Sequence, residues 1–199
     1  MADGSEGPDM SVKHPLQNTW VLYFDGGVYY NKMKKFETWH ESLQKVATVS
    51  TVEDFWGVFN NIPPPAALPA GANYYFFKEQ CYPEMENDAN RGGGKWQVIT
   101  GGKNGPREKL NDIFLNLVMM MVGEQFEGSD NEQVCGAVVQ NRQKGDRVAI
   151  WTSDAGNGES VMRIGQKFKT ATSWEKSIPF MAHMEGKGAS AATPSKYTV

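Results

Sequence analysis

Cysteine and histidine are scarce in this chain: two cysteines and three histidines stand among 199 residues. Cys81 and Cys135 are far apart in sequence, and neither belongs to a Cys-x-x-Cys or Cys/His spacing. That pattern excludes a zinc module, and both read as reduced thiols of a cytosolic protein. No apolar run reaches the length of a membrane span, and no basic-then-apolar segment opens the sequence, so neither anchor nor secretory leader is predicted. Asn-x-Ser/Thr sequons are missing too, in keeping with a cytoplasmic or nuclear address.

Catalytic signatures are equally sparse. Gly94-Lys95 is followed by Trp96 and not by Ser or Thr, which rules out a Walker A loop. There is no Gly-x-Ser-x-Gly elbow, and His14, His40 and His183 form neither a His-Glu-x-x-His motif nor a clustered ligand set. The glycine runs at 92–94 and 101–102 lack the strand-glycine-helix context of a dinucleotide site and read as turns. These absences predict a protein that is not an enzyme and that carries no cofactor or metal. A net charge of −3 leaves no general polyanion-binding face, so any nucleic-acid contact must be made locally by a few placed cations.

Tryptophan, by contrast, is plentiful. Six indoles occur in 199 residues, and two sit in polar settings that a core would not choose. Trp39 lies in Lys35-Phe36-Glu37-Thr38-Trp39-His40-Glu41, and Trp56 follows the acidic pair Glu53-Asp54. Indoles are enriched where a flat ligand or a partner helix is gripped, so the set predicts a binding surface.

The chain reads as one domain of ordinary soluble composition, spanning 14–199, behind a flexible tail at 1–13 and with a mobile loop around 184–195. Three helices are predicted. Ser50-Thr51-Val52-Glu53 has the form of a capping box ahead of Phe55, Trp56 and Phe59. A second stripe runs Leu110, Ile113, Phe114, Leu117, Met121, and a third helix covers Gly158 to Thr170 with Val161, Ile164 and Phe168 on one side. Strands are predicted over 20–24, 73–77, 95–100, 134–141, 147–152 and 178–183, with a tight turn at Gln143-Lys144-Gly145-Asp146 joining two of them. This order predicts an α+β fold whose antiparallel sheet is covered on one face and open to a ligand on the other.

Several residues suit a flat, charged nucleotide. Trp39 offers a π face, and either Glu84 or Glu86 can accept two N–H bonds from a guanine edge. Arg142, Lys144 and Arg147 cluster at one turn, where they can meet phosphates. An aromatic platform, an acid and local cations together match a cationic purine carrying a polyphosphate.

Four longer stretches carry a family pattern. They are His14-Pro15-Leu16-Gln17-Asn18-x-Trp20, Thr51-Val52-Glu53-Asp54-Phe55-Trp56, Val134-Cys135-Gly136-Ala137-Val138-Val139 and Lys144-Gly145-Asp146-x-x-Ala149-Ile150-Trp151-Thr152. In these the chain resembles the translation initiation factor 4E family, which binds the cap of eukaryotic messenger RNA. The similarity runs from about His14 to Val199. It implies a strongly curved antiparallel sheet of about eight strands with three long helices on the convex face, and a concave slot for 7-methylguanosine. By motif position Trp39 resembles one wall of an aromatic sandwich, Glu86 the acid that reads guanine N1–H and N2–H, and Trp151 the residue at the N7 methyl. Arg142, Arg147 and Lys95 resemble the phosphate grips, with Lys187 a further one from the C-terminal loop. The resemblance also implies a dorsal patch of His14, Pro15, Leu16, Val52, Trp56, Leu115 and Met119. That patch would receive a Tyr-x-x-x-x-Leu-hydrophobic helix of a scaffold initiation factor or repressor, with no membrane involved.

Two departures stand out. Met85 occupies the position of the second stacking Trp, and a thioether has no π face, so base recognition is expected to be weaker or differently built. Asp25-Gly26-Gly27-Val28-Tyr29-Tyr30-Asn31 reads as an inserted loop ahead of Trp39. Tyr29 or Tyr30 then either replaces the missing wall, stacks on nucleotides after the cap, or is incidental. The leading function is non-enzymatic cap binding in translation initiation or its regulation. The alternative is an interaction protein or translational repressor that keeps the dorsal site with weak or no cap binding. Among the tryptophans, Trp20 and Trp96 are assigned to structure, and Trp174 receives no role.

Overall fold

Alternation along the strands decides which way each side chain faces. In the first strand, β1 (Pro15–Asp25), Trp20, Leu22 and Phe24 point to one side, and Val21, Tyr23 and Asp25 to the other. The computed structural model describes residues 12–100, 108–183 and 195–199. After β1 come α1 (Gly27–Lys34), α2 (Trp39–Ser42), β2 (Gln44–Thr51) and α3 (Val52–Phe59). A 3-10 turn (Pro65–Ala67) leads to β3 (Asn73–Lys78), α4 (Asp88–Arg91), β4 (Gly94–Ile99) and α5 (Glu108–Val122). The chain then runs through α6 (Asp130–Gln133), β5 (Val134–Gln140), β6 (Arg147–Thr152), α7 (Gly158–Ala171) and β7 (Phe180–Ala182). The seven strands form one curved antiparallel sheet in the order β2-β1-β3-β5-β6-β4-β7, with register shifts in β1 and β5 that bend it.

The convex side holds the main core. Phe55 and Phe59 of α3, Leu110, Phe114, Leu117 and Met121 of α5, and Val161, Ile164 and Phe168 of α7 pack there against Trp20, Phe76, Trp96 and Ile150. These are the apolar stripes that the 3.6-residue period predicts. Gly165 lets α7 approach closely, since a Cβ at this position would lie 2.5 Å from the Trp96 ring. Trp96 in turn donates its indole N–H to the Val161 carbonyl at 3.1 Å, and Trp20 stacks on Phe76 with rings 5.2 Å apart. Both are structural, as expected, and Trp174 is half-buried against the same core.

Several expectations shift. The α3 cap is Thr51 and not Ser50: its side chain accepts from the Asp54 N–H at 3.1 Å, while Glu53 turns away to His14. Strand β2 was not predicted, because only Val49 along it is buried and its first three residues are all exposed. Residues 25–31 are not a loop. Asp25 accepts from the Gly27 N–H at 3.0 Å and from Asn31 Nδ2 at 2.9 Å, and these bonds start helix α1, which carries no apolar stripe. Among the described residues the sheet has seven strands, where about eight were expected. At its edge the C-terminus adds one isolated bridge, Pro179 to Thr198. The tight turn before β6 is present, with Gly145 at φ +139°, a backbone conformation that favours glycine.

Candidate functional site

Side chains on the open, concave side converge on a cleft of about 490 Å³. Small residues make room for it, with Val138 of β5 and Ala149 of β6 in its lining. Trp151 pairs across the sheet with Lys95 on one side and Gly136 on the other. At Gly136 a Cβ would meet the Phe77 ring at 2.4 Å, so glycine lets Phe77 lie flat there. Phe77 supports Trp151 edge-to-face, with ring centroids 5.4 Å apart.

One wall is α2. Thr38 caps it by accepting from the Glu41 N–H, and its first residue, Trp39, stands edge-to-face with Tyr75 at 6.1 Å. The Tyr75 phenol is pushed up to about 12, chiefly by burial and then by the Asp25 charge. The opposite wall is the segment carrying Met85 and Glu86. Asn90, fully buried in α4, shapes it by donating from Nδ2 to the Tyr82 carbonyl at 2.6 Å and to the Glu84 carbonyl at 2.7 Å. His183, just after β7, meets the Asn90 carbonyl through Nδ1 at 3.0 Å and packs on Trp151, with ring centroids 4.2 Å apart. A carbonyl can only accept, so Nδ1 carries the proton.

The electrostatics are lopsided. Lys95 and Arg147 line the same cleft, and neither makes an ion pair with a described residue. Burial, then the Arg147 charge, lowers the Lys95 pKa, and Lys95 Nζ lies 5.9 Å from the Trp151 ring centroid. Two cations held together without a bridging carboxylate favour an anionic ligand. Burial also holds the His183 pKa down at about 4 against a usual value of 6.5, partly offset by the Asn90 carbonyl. Below about pH 6.5 the unfolded chain takes up a proton that the folded chain refuses. The stabilisation is therefore complete above pH 6.5 and is lost as pH falls towards 4, amounting to about 3 kcal/mol. Urea unfolding between about pH 7 and pH 4.5 should show the parent losing stability faster than His183→Gln. Parallel curves for the two proteins would contradict this account.

The structure thus brings Trp39, Met85, Glu86, Trp151, Lys95 and Arg147 into one cleft. Of the two acids, Glu84 is engaged by His40, whereas the Glu86 carboxylate has no hydrogen bond or ion pair to a described residue. Arg142 does not line the cleft. It sits at the end of β5, where its Nη1 donates to the Gly71 and Asn141 carbonyls at 3.0 and 2.9 Å. Lys187 falls outside the described residues, and so does most of the 184–195 loop. Tyr30 does not replace the missing wall: it packs edge-to-face on Phe24, on the convex side, with centroids 5.8 Å apart. Tyr75 was legible as an alternate residue of a predicted strand, but Asn90 and His183 were not, since their contact spans 93 positions of sequence. Cys81 and Cys135, remote in sequence, are both free and join one buried cluster under the cleft with Tyr75, Phe77 and Trp151.

On the convex side a second feature is exposed. Val52 and Trp56, one turn apart on α3, are each 39% accessible while Phe55 between them is buried. Leu16, Leu115 and Met119 are half-buried at the margin of the same core. The chain before β1 is clamped to α3: the Val52 N–H donates to the His14 carbonyl at 2.9 Å, His14 Nδ1 meets Glu53 at 2.7 Å, and Lys13 meets Asp54 at 2.9 Å. The His14 hydrogen bonds hold the Glu53 carboxyl at about 2, and Lys13 does the same for Asp54. Pro15 follows at the exposed start of β1.

Comparison with known proteins places this arrangement. The sequence family described as Eukaryotic initiation factor 4E matches residues 15–197. Eukaryotic translation initiation factor 4E-1 of Triticum aestivum is 38% identical over 204 residues, covering 100% of this chain and 90% of the relative. Among solved structures, Ascaris suum eIF4E-3 with an m2,2,7G cap superposes with a TM-score of 0.82 at 34% identity, over 94% of this chain and 99% of that one. Caenorhabditis elegans eIF4E-3, solved with the 4E-binding protein Mextli and a cap analog, gives 0.80 at 35% identity, over 94% and 100%. With the family match over 15–197, relatives of this identity along the whole chain and superposition of the fold, this chain belongs to the eukaryotic initiation factor 4E family.

Proposed function

We propose that this protein binds the 7-methylguanosine cap of messenger RNA in its concave cleft, as a cytoplasmic, non-catalytic factor in translation initiation or its regulation. The observation that carries the reading is the convergence of Trp39, Trp151, Glu86, Lys95 and Arg147 on one cleft. Methylation at N7 makes guanine a delocalised cation, which an indole face attracts. Trp39 stacks on the base, Glu86 accepts from guanine N1–H and N2–H, and Trp151 borders the N7 methyl. Lys95 and Arg147 meet the phosphates, while Arg142 contributes from the rim and Lys187 from the C-terminal loop. Met85 forms the second wall by dispersion, without a π face.

The α3 strip takes the second role. Val52 and Trp56, with His14, Pro15, Leu16, Leu115 and Met119 around them, receive an amphipathic helix of a scaffold factor or repressor bearing a Tyr-x-x-x-x-Leu-hydrophobic motif. Asn116, exposed between Leu115 and Met119 where the family usually has an acid, bears on which partner is chosen.

Retention on immobilised 7-methylguanosine triphosphate tests the reading, with elution expected from the free methylated nucleotide and not from GTP. A chain that flows through, or that GTP elutes equally well, would contradict it. The same resin ranks the second wall. Met85→Trp restores a π face and is expected to tighten binding by about 0.5–2 kcal/mol, roughly two- to thirtyfold. Unchanged or weaker retention of that variant would mean that Met85 does not face the base.

A further inference from the structure

A row of paired residues crosses the sheet at the end where β1 stops. Asp25 stands opposite Asn73, Asn73 opposite Gln140, and Gln140 opposite Arg147. Gln140 and Arg147 line the cleft, and Asn73 Nδ2 donates to Asp25 at 2.8 Å. From Arg147 to Asp25 is three strand steps, about 14 Å at ~4.8 Å per step. Helix α1 is seated at the far end of this row. The buried Asp25 carboxylate binds Gly27 and Asn31, and Gly27 abuts Gly71, whose carbonyl accepts from Arg142.

The two flanks of α1 differ. Tyr30 turns to the convex side, and Lys34 follows it one turn later, with Nζ 5.7 Å from the Tyr30 ring centroid. Asn31 faces the other way, onto Asp25. Lys32 adjoins Asn31, and Lys35, one turn beyond it, closes the helix in a left-handed conformation with φ 59°. Both lysines are exposed, and neither forms an ion pair with a described residue. The helix dipole favours cations in a last turn. It does not account for two exposed, unpaired cations on the helix that Asp25 anchors to the end of this row.

We propose that Lys32 and Lys35 extend the basic end of the cleft and hold phosphates of the single-stranded RNA that follows the cap. The proposal rests on the cap-binding reading above. About 14 Å matches roughly four stacked nucleotides at ~3.4 Å each, so a leader leaving Arg147 reaches α1 within its first few residues. The row runs from Gln140 to the buried pair Asn73 and Asp25, and the exposed cations of the helix seated on that pair attract the chain towards its far end.

Three probes on the full chain test this: 7-methylguanosine triphosphate, a capped RNA of roughly ten nucleotides, and the same RNA uncapped. Capped RNA should bind roughly three- to tenfold tighter than the cap nucleotide. The double variant Lys32→Gln, Lys35→Gln should lose that gain and leave the affinity for the cap nucleotide unchanged, whereas Lys34→Gln should keep it. With two single-strand phosphate contacts removed, the salt slope for capped RNA should fall by about 1.4 in the double variant. A parent without the gain, a double variant that retains it, or an equal loss in Lys34→Gln overturns the proposal. Failure of 7-methylguanosine triphosphate to bind would strike the cap reading instead. Uncapped RNA then judges α1 alone: its binding must weaken severalfold in the double variant, and unchanged binding overturns the proposal.

Discussion

Trp39→Ala should lower affinity for 7-methylguanosine triphosphate by about 1–3 kcal/mol, roughly five- to 150-fold, with little change in fold stability. The size follows from what surrounds the cleft. On the proposed cap reading Met85, and not a second indole, stands across the cleft from Trp39, so the single Trp39 face is expected to carry most of the attraction for the cationic base. Stability is spared because Trp39 is only half-buried on the short helix α2, where its aromatic contacts are Tyr75 and His40. Affinity for GTP should fall much less, because a neutral guanine gains less from the indole face. Selectivity for the methyl group therefore collapses along with affinity. A variant that still prefers the methylated nucleotide as strongly as the parent would show that Trp39 is not the stacking wall.

Asn90→Ala should lower stability by about 2–3 kcal/mol and weaken cap binding at the same time. The side chain is fully buried and donates to two carbonyls in the segment that carries Met85 and Glu86, and the Asn90 backbone carbonyl accepts from His183. Alanine keeps the α4 backbone but removes both buried bonds, leaving the Tyr82 and Glu84 carbonyls only the Glu84 and Asn87 N–H groups as donors, and opens a void in that segment. For a chain of 199 residues that loss corresponds to a fall in Tm of roughly 4–12 °C. Binding measured well below the new Tm separates the two effects. If Asn90 positions Glu86, the loss should be larger for guanine nucleotides than for 7-methyladenosine triphosphate, which lacks the N1–H and N2–H donors. Equal loss for both bases would assign Asn90 to stability alone.

Asn90 also marks where reading the sequence stops. The stripes Leu110 to Met121 and Val161 to Phe168 announced α5 and α7, because one helix face there is wholly buried. The β5–β6 turn was legible from Gly145, whose φ of +139° is a local requirement. Strand β2 was not, since pairing with β1 and not side-chain burial makes it a strand. Helix α1 was hidden because it carries no apolar stripe: local bonds from Gly27 and Asn31 to Asp25, a side chain that Asn73 holds from across the sheet, start it. In the site, Trp39, Glu86 and Trp151 came from motifs, and the alternation of β3 and β6 puts Tyr75 and Trp151 on the ligand face. The partners that set their positions, Asn90 and His183, meet only after the sheet has closed, and no local pattern announces a contact of that range. The same holds for Arg142, whose motif position suggests a phosphate grip but whose Nη1 is engaged by Gly71 and Asn141.

The most direct measurement is titration of intrinsic tryptophan fluorescence of the parent protein with 7-methylguanosine triphosphate and, separately, with GTP. Stacking of a cationic base on Trp39 beside Trp151 predicts quenching and a preference for the methylated nucleotide of roughly tenfold or more. That preference should persist at moderate salt, because stacking is screened less than the phosphate contacts are. Equal dissociation constants for the two nucleotides would contradict cap recognition by this cleft.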